Sequence, residues 1–499
     1  MEAIMAGIHV VFSQPGIWIA LILGTFMGII FGVIPGLSAT LGVTLMIPFT
    51  FGMSPHVGLT LLVAIFVGGV SGGLITAILL NIPGGPANLI TCWDGYPMSK
   101  KGFPAEALSV AVFGSLIGGT FSAIVLFSLA PQLARVALTF GSWEYFAVCL
   151  MGLSFVSSTA GKDTVKGLLG AAIGLVLGSV GMDFLSGVTR LTFGNWQLHG
   201  GLHVLVIMMS FFAVREILDQ VNSLGQQRKI IQVKRVSFLP PFKMLKACGP
   251  AMGFGSLIGT WLGILPGIGQ TPAAILAYNQ TKKFSKNPEE FGSGRPEGVA
   301  ASETATSASN GGCFIPLLTL GIPGDVVTAA LIGGFLIHGI QPGPLLFTQN
   351  LDLVGTVMVV FFLANIALYV MQLGMMKAFI KVINVPYSFL FPGILSFCLF
   401  GVFALNNRIF DMVILVCFAF FGYVLNQFKI GMTPLILGFI LGPMIESHLR
   451  RALIASGGSF ADITTRPLAL VFFSLSIIFV FFPLIQRGLK FIIARARKV

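Results

Sequence analysis

Residues 24–40 read GTFMGIIFGVIPGLSAT, and residues 255–271 read GSLIGTWLGILPGIGQT. At a constant offset of 231, Gly24, Gly28, Gly32, Pro35, Gly36 and Thr40 match Gly255, Gly259, Gly263, Pro266, Gly267 and Thr271. Each stretch is a glycine ladder closed by Pro-Gly. Glycine abundance alone could give one ladder, but two with the same ending point to an internal duplication. A second pair agrees: LLNIPG ends at Gly84 and LTLGIPG at Gly324, with Pro83 and Pro323 separated by 240 residues. The extra residues of the second copy fall in the interval that holds the polar loop Lys282–Glu297.

A glycine ladder makes a smooth helix face that a neighbouring helix can approach closely. The Pro-Gly then stops the helix, because proline removes an amide hydrogen and glycine admits left-handed backbone. Within a bilayer, unwound backbone is tolerated only where it is buried in protein or lines a watery cavity. Broken helices at corresponding positions of two halves are the sequence pattern of a transporter binding site. The plainer reading is a set of proline-kinked helices with packing roles only.

Composition sets the solvent. The 499 residues are 55% hydrophobic and 9% charged, with a mean hydropathy of +0.94. Soluble domains carry roughly 25% charged residues, so a soluble enzyme is excluded, and a disordered chain needs the opposite balance. The apolar runs are long and continuous, unlike the short alternating segments of outer-membrane barrels. They lie at 17–51, 57–82, 105–131, 133–157, 164–182, 200–218, 247–278, 311–341, 353–382, 386–405, 409–426, 430–447 and 466–493. At about 20 residues per span, this predicts an all-α polytopic membrane protein with about 11–14 membrane elements.

The net charge is +12. Its scatter argues against nucleic-acid binding and for cytoplasmic loops. The stretch 219–246 holds Arg228, Lys229, Lys234, Arg235, Lys243 and Lys246. We read it as a basic cytoplasmic linker between a first membrane half, 1–218, and a second, 247–499. The C-terminus, with Arg487, Lys490, Arg495, Arg497 and Lys498, is expected on the same side. Met1–Val10 has no Lys or Arg, so no cleavable leader is expected, and positive-inside reasoning places Met1 outside. The halves then read as inverted repeats with broken helices or re-entrant hairpins. The six cysteines stand singly with no CxxC pair, which indicates neither a disulfide framework nor a metal site. His199 and His203 have no acidic partner near them in sequence, and no hydrolase, zincin or Walker motif is present.

Chemistry concentrates at the breaks. The first-half segment NIPGGPANLITCWDGYPMSKKG (81–102) brings Asn81, Asn88, Thr91 and Asp94 to interrupted backbone, with Asp94-Gly95 reading as a turn or cap. The second-half stretch 297–325 holds Glu303, Thr304, Thr306, Ser307, Ser309 and Asn310 before Pro323, Gly324 and Asp325. An acid among small oxygen donors in an apolar context suits a coupling cation or proton. Glu303 and Asp325 fit equally well as a helix N-terminal acid and a helix cap. Few cations lie inside apolar runs, so an anionic substrate would be held by helix N-termini, amides and hydroxyls. The substrate set is therefore expected at Pro35, Gly36, Thr40, Asn81, Pro83, Gly84, Gly85, Pro266, Gly267, Thr271, Pro323 and Gly324. The cation-coupling set is expected at Glu303, Thr304, Thr306, Ser307, Asn310 and Asp325, with Na+ or H+ as the coupling ion and no other cofactor.

These motifs resemble the large membrane subunit of the tripartite tricarboxylate transporters. The resemblance covers nearly the whole chain. It rests on GVIPGL (32–37), NIPGGP (81–86), DGYP (94–97) and GMDFLSGVTRLTFG (181–194). It continues through ILPGIG (264–269), FGSGRPEGVAASE (291–303), LTLGIPGD (318–325), HGIQPGPLLF (338–347) and PLILGFILGPMIESHLRRAL (434–453). The chain departs from the family pattern at Thr306 and Ser307, where a pair of asparagines is usual, and at Gly85, where a threonine is common. The resemblance implies a secondary transporter of the bacterial inner membrane that takes up a tricarboxylate or related carboxylate with a sodium or proton gradient. It also implies a small membrane subunit and a periplasmic solute-binding protein as partners. An intramembrane enzyme using Glu303 or a histidine, and an uncoupled channel subunit, are the competing classes. Duplicated halves serve alternating access better than single-site catalysis.

Overall fold

The structure, a computed structural model, describes residues 2–159, 164–183, 185–220, 236–237, 239–382 and 387–496. Met1, the linker residues Arg228, Lys229, Lys234 and Arg235, and Arg497 and Lys498 lie outside the described residues.

The described chain is helical nearly throughout. The first half runs α1 (Glu2–Ser13), α2 (Pro15–Val33), α3 (Ala39–Thr50), α4 (Pro55–Leu80), α5 (Asn88–Lys100) and α6 (Pro104–Ala137). It continues through α7 (Ser142–Thr159), α8 (Thr164–Gly178), α9 (Val204–Met208), a π-turn at Met209–Val214, and α10 (Arg215–Gln220). The second half opens with α11 (Phe242–Ile264), α12 (Gln270–Phe284), α13 (Pro296–Leu320) and α14 (Val326–Ile337). Then come α15 (Leu346–Gln349), α16 (Leu351–Gly374), α17 (Met376–Val382), α18 (Tyr387–Asn406), α19 (Ile409–Gln427), α20 (Met432–Ala455) and α21 (Pro467–Ala496). The strands among the described residues are the two-residue β1 (Gly181–Met182) and β2 (Thr189–Arg190), paired antiparallel. Among the described residues, six helices, α2, α4, α6, α16, α19 and α20, are long and apolar enough to cross a membrane. This is an all-α multi-pass membrane protein.

The largest displaced boundary is the start of α13. The run 311–341 is not one element: α13 begins at Pro296 and carries the polar residues 297–310 within the helix. Hydropathy missed this start because the residues that face neighbouring helices there are hydroxyls and amides, not aliphatics. The run 17–51 divides into α2 and α3, and 247–278 into α11 and α12, each at its Pro-Gly.

The chain forms two compact units, Met1–Arg135 with Met208–Ala419, and Val136–Ile207 with Phe420–Val499. In the first, the glycine ladders do matching work. A Cβ at Gly24 or Gly28 would sit 2.6 or 2.5 Å from the Leu61 or Ile65 carbonyl oxygen of α4. At Gly255 and Gly263 it would sit 2.9 and 2.5 Å from the Ala301 and Ser309 carbonyl oxygens of α13. The ladders thus set backbone against backbone, α2 on α4 and α11 on α13. Contacts across the halves also come in matched pairs. α3 packs on α14 and α5 on α12; α4 meets α14 and α5 meets α13; α16 lies on α4, and α6 lies on α13 through Gly114, Gly118 and Ser122.

In the second unit, α7 packs on α20 and α21, and α8 on α20. Trp143 is buried and donates to Asp462 (3.0 Å). The short hairpin is pinned at its base. Asp183 pairs with Arg450 at 2.7 Å, and Arg190 pairs with Glu446 at 2.7 Å. Arg450 and the Ser186 hydroxyl hold the Asp183 carboxyl well below the usual carboxylate range.

Candidate functional site

The four helix breaks share backbone geometry. Gly36 and Gly267 both take left-handed φ, 87° and 81°, in the turns after α2 and α11. Asn81 and Gly321 end α4 and α13 in the left-handed region, with φ of 60° and 72°. A left-handed residue at a helix end is normally glycine or asparagine, because a larger side chain crowds the backbone. This explains why the two halves use different residues at one position without changing the turn.

The breaks within a half lie against each other. Gly267 N donates to Gly324 O at 2.9 Å. A Cβ on Gly324 would come within 2.6 Å of Cys313 Cα, and one on Gly84 would strike Gly73 and the Gly32 carbonyl. Among the expected substrate residues, Pro35, Thr40, Gly84, Pro266, Pro323 and Gly324 are buried. Gly36, Pro83, Gly85, Gly267 and Thr271 are partly open, and Asn81 is exposed. Four helices begin at these breaks. Ser38 caps α3 by accepting from Leu41 N (3.2 Å), and Asp325 caps α14 by accepting from Thr328 N (2.7 Å). Neither α5 nor α12 has a side-chain cap.

α5 and α13 run antiparallel and meet through polar side chains. Asn88 Nδ2 donates to Glu303 Oε1 at 3.3 Å, and the Thr91 hydroxyl donates to the same oxygen. Thr91 Oγ1 also lies 3.2 Å from Ser302 Oγ. All four residues are buried, Glu303 completely. Asn88, Thr91 and also Ser115 of α6 hydrogen-bond to it, an amide and two hydroxyls, with no protein cation among them. Glu303 Oε2 has no hydrogen-bond partner, and neither have Thr304 Oγ1 and Ser307 Oγ on the same helix. Buried polar atoms are normally satisfied, so each of these unpartnered oxygens calls for an explanation. Thr306 is spent on its own helix, donating to Ser302 O at 2.8 Å. Beyond Glu303, Ser71 of α4 donates to Ser115 of α6 (3.1 Å), and Gln372 of α16 donates to Ser71 O (3.0 Å).

The expected cation set falls into two groups. Asn310 and Asp325 do not touch Glu303; both accept from Gln270 Nε2 on α12, at 3.1 and 2.5 Å. Asp325 forms a capping box with Thr328, so its Oδ1 serves the helix end and its Oδ2 serves Gln270.

Asp94 is not in a loop. It lies fully buried in α5, where Oδ1 accepts from Gly292 N, Gly294 N and Arg295 N at 2.9, 2.7 and 2.8 Å. Oδ2 accepts from the Tyr278 hydroxyl at 2.8 Å. The turn reading failed because Asp-Gly favours turns only when the aspartate lacks a better partner, and here three backbone amides converge on it. The sequence reading also passed over Gln270, Ser302, Tyr278, Ser71, Ser115 and Gln372. Small hydroxyls and amides inside helical stretches carry no local signal; only the packing of α5, α6 and α16 on their neighbours reveals them.

A family model, the tripartite tricarboxylate transporter TctA family, matches residues 18–437. The chain is 37% identical over 448 residues to a protein of Agrobacterium vitis described as an uncharacterized 52.8 kDa protein in the TAR-I ttuC' 3' region, covering 89% of each chain. It is also 39% identical over 227 residues to an uncharacterized protein in the TAR-II ttuC' 3' region of Agrobacterium vitis, covering 46% of this chain and 94% of that one. No solved structure matches it. The matched length, the paired glycine ladders and the apolar helices agree: this chain belongs to the tripartite tricarboxylate transporter TctA family.

Proposed function

We propose that this subunit imports an organic carboxylate by alternating access, driven by a sodium or proton gradient and fed by a periplasmic solute-binding protein. It works in the bacterial inner membrane beside a small membrane subunit. Family membership assigns it to tricarboxylate transport; coupling, orientation and site are our reading. The observation that carries it is the completely buried Glu303, whose Oε2 lacks a partner while Oε1 is held by residues of the other half. An isolated acid inside a membrane protein is costly unless it serves an ion.

The carboxylate is bound at the breaks, by Pro35, Gly36, Thr40, Asn81, Pro83, Gly84 and Gly85 of the first half and Pro266, Gly267, Thr271, Pro323 and Gly324 of the second. Helix N-termini attract anions through unpaired amides and the helix dipole. Neither α5 nor α12 has a side-chain cap, so the first-turn amides not spent on local backbone bonds, as those of Asn88 and Ile90 are, are left for a ligand. Coupling resides at Glu303 with Thr304 and Ser307; Thr306, Asn310 and Asp325 shape the neighbouring backbone. The matched pairing of α3 with α14 and α5 with α12 supports a two-fold relation of these helices; we read the halves, 1–218 and 247–499, as inverted copies. Each half then supplies helices that seat on the other, as rocking about a central site requires.

The test is reconstitution of the three components in proteoliposomes, with labelled citrate and a panel of di-, tri- and aromatic carboxylates. An inward Na+ or H+ gradient should drive accumulation above equilibrium, abolished when the gradient is collapsed. Equilibration indifferent to any gradient would indicate a channel, and a chemically altered substrate an enzyme.

A further inference from the structure

We propose that Asn88 and Thr91 transmit the occupancy of Glu303 to the Asn81–Ala87 break. The inference rests on the reading of Glu303 as the coupling site. α5 is held at two places of different character. Its middle is clamped by Asp94, which accepts three backbone N–H bonds from the 292–295 loop and one O–H bond from Tyr278. Its first turn is held to α13 by side-chain bonds from Asn88 and Thr91, both to Glu303 Oε1 and one also to Ser302. Asn88 is also the residue through which the break enters the helix, its N–H donating to Gly85 O at 3.1 Å.

Bonds to an ionised carboxylate are roughly twice as strong as bonds between neutral groups. With Glu303 charged and empty, α5 is fixed at its first turn and at its middle, and the 81–87 segment is held in place. A proton or cation on the carboxylate removes the charge that strengthens these bonds, and the first turn loosens while the Asp94 clamp stays. The break then changes shape in step with the ion. Cys92 of α5 is a titratable side chain that interacts electrostatically with Glu303; the Asp94 carboxylate lies further along α5, and Arg295 and Glu297 stand at the start of α13. Asn88 and Thr91 are positioning residues, so their test must read motion and ion response apart.

The experiment is hydrogen exchange of backbone amides in 82–92 on the purified full chain, titrated with NaCl and with pH, beside thermal-shift titrations of the same ions. In the wild type, exchange at 82–92 should speed up as Na+ or H+ is added, while 93–100 stays protected. Asn88→Ala with Thr91→Val should exchange roughly tenfold faster without added ion and respond no further. Thr91→Ser, which keeps the hydroxyl, should restore the response. If the ion shifts the melting temperature of the wild type but not of Glu303→Gln, and exchange at 82–92 is unmoved, the transmission is wrong and the coupling site stands. If no ion moves the wild type in either measurement, the coupling reading falls and takes this one with it.

Discussion

Asn88 and Glu303 are 215 residues apart in the chain, yet Asn88 Nδ2 lies 3.3 Å from Glu303 Oε1 inside the protein. One residue opens the helix after the first-half break, and the other sits on the second-half helix that ends at the matching break. Reading along the chain separates a substrate segment from a coupling segment; the packing of α5 on α13 joins them by hydrogen bonds from Asn88 and Thr91.

Asn81 discriminates between backbone and side-chain roles. Its left-handed conformation and exposure indicate that it ends α4. Asn81 then serves the carboxylate site through the backbone of the break, so Asn81→Gly should keep near-normal uptake, whereas Asn81→Ala should destabilise the turn by about 1–2 kcal/mol and lower uptake. Substrate titration of reconstituted variants checks this. An equal rise in apparent KM for both would assign the Asn81 amide to substrate.

Gly36→Val and Gly267→Val should each abolish uptake with insertion largely intact. Both glycines have positive φ, and a β-branched residue opposes that geometry. Transport assays with surface-expression controls decide it. Normal transport in both variants would reduce the breaks to kinks.

The Asp94 clamp makes a stability prediction. Asp94→Ala leaves three partly exposed N–H groups of the 292–295 loop without their acceptor and should lower stability by about 1–3 kcal/mol. Tyr278→Phe removes one bond and should cost about 1 kcal/mol. Thermal unfolding of the solubilised protein measures both, and an unchanged midpoint for Asp94→Ala would contradict the clamp.

How much of this was legible can be judged residue by residue. The Pro-Gly breaks and glycine ladders were visible because their signal is local: residues with special backbone freedom recur at fixed offsets. Glu303 was visible as an acid in an apolar neighbourhood. Its partners were not, because Asn88, Thr91 and Ser302 are ordinary helix residues until α5 is laid against α13. The start of α13 at Pro296 was missed for the same reason: a helix buried on every side by protein can be polar, and hydropathy reads it as loop. Asp94 misled because sequence shows its glycine neighbour and not the 292–295 amides.

Orientation follows from charge. The basic linker and the C-terminus should be cytoplasmic and Met1 periplasmic by positive-inside reasoning. Reporter fusions after Lys234 and at both termini check this. A periplasmic Lys234 would overturn the orientation, and a cytoplasmic Met1 alone would overturn the inverted relation of the halves.

The central claim is that Glu303 carries the ion that drives uptake. The most direct measurement is initial uptake by reconstituted Glu303→Gln, titrating cation and substrate separately against the wild type. Glutamine keeps the shape and the acceptor for Asn88 and Thr91 but cannot hold a charge or exchange a proton. Loss of one charge-assisted contact worth about 1.5–3 kcal/mol corresponds to roughly a tenfold to hundredfold effect. The account predicts that gradient dependence falls by that factor while substrate affinity changes little. An unchanged ion dependence in Glu303→Gln would contradict it and turn the search to Asp325.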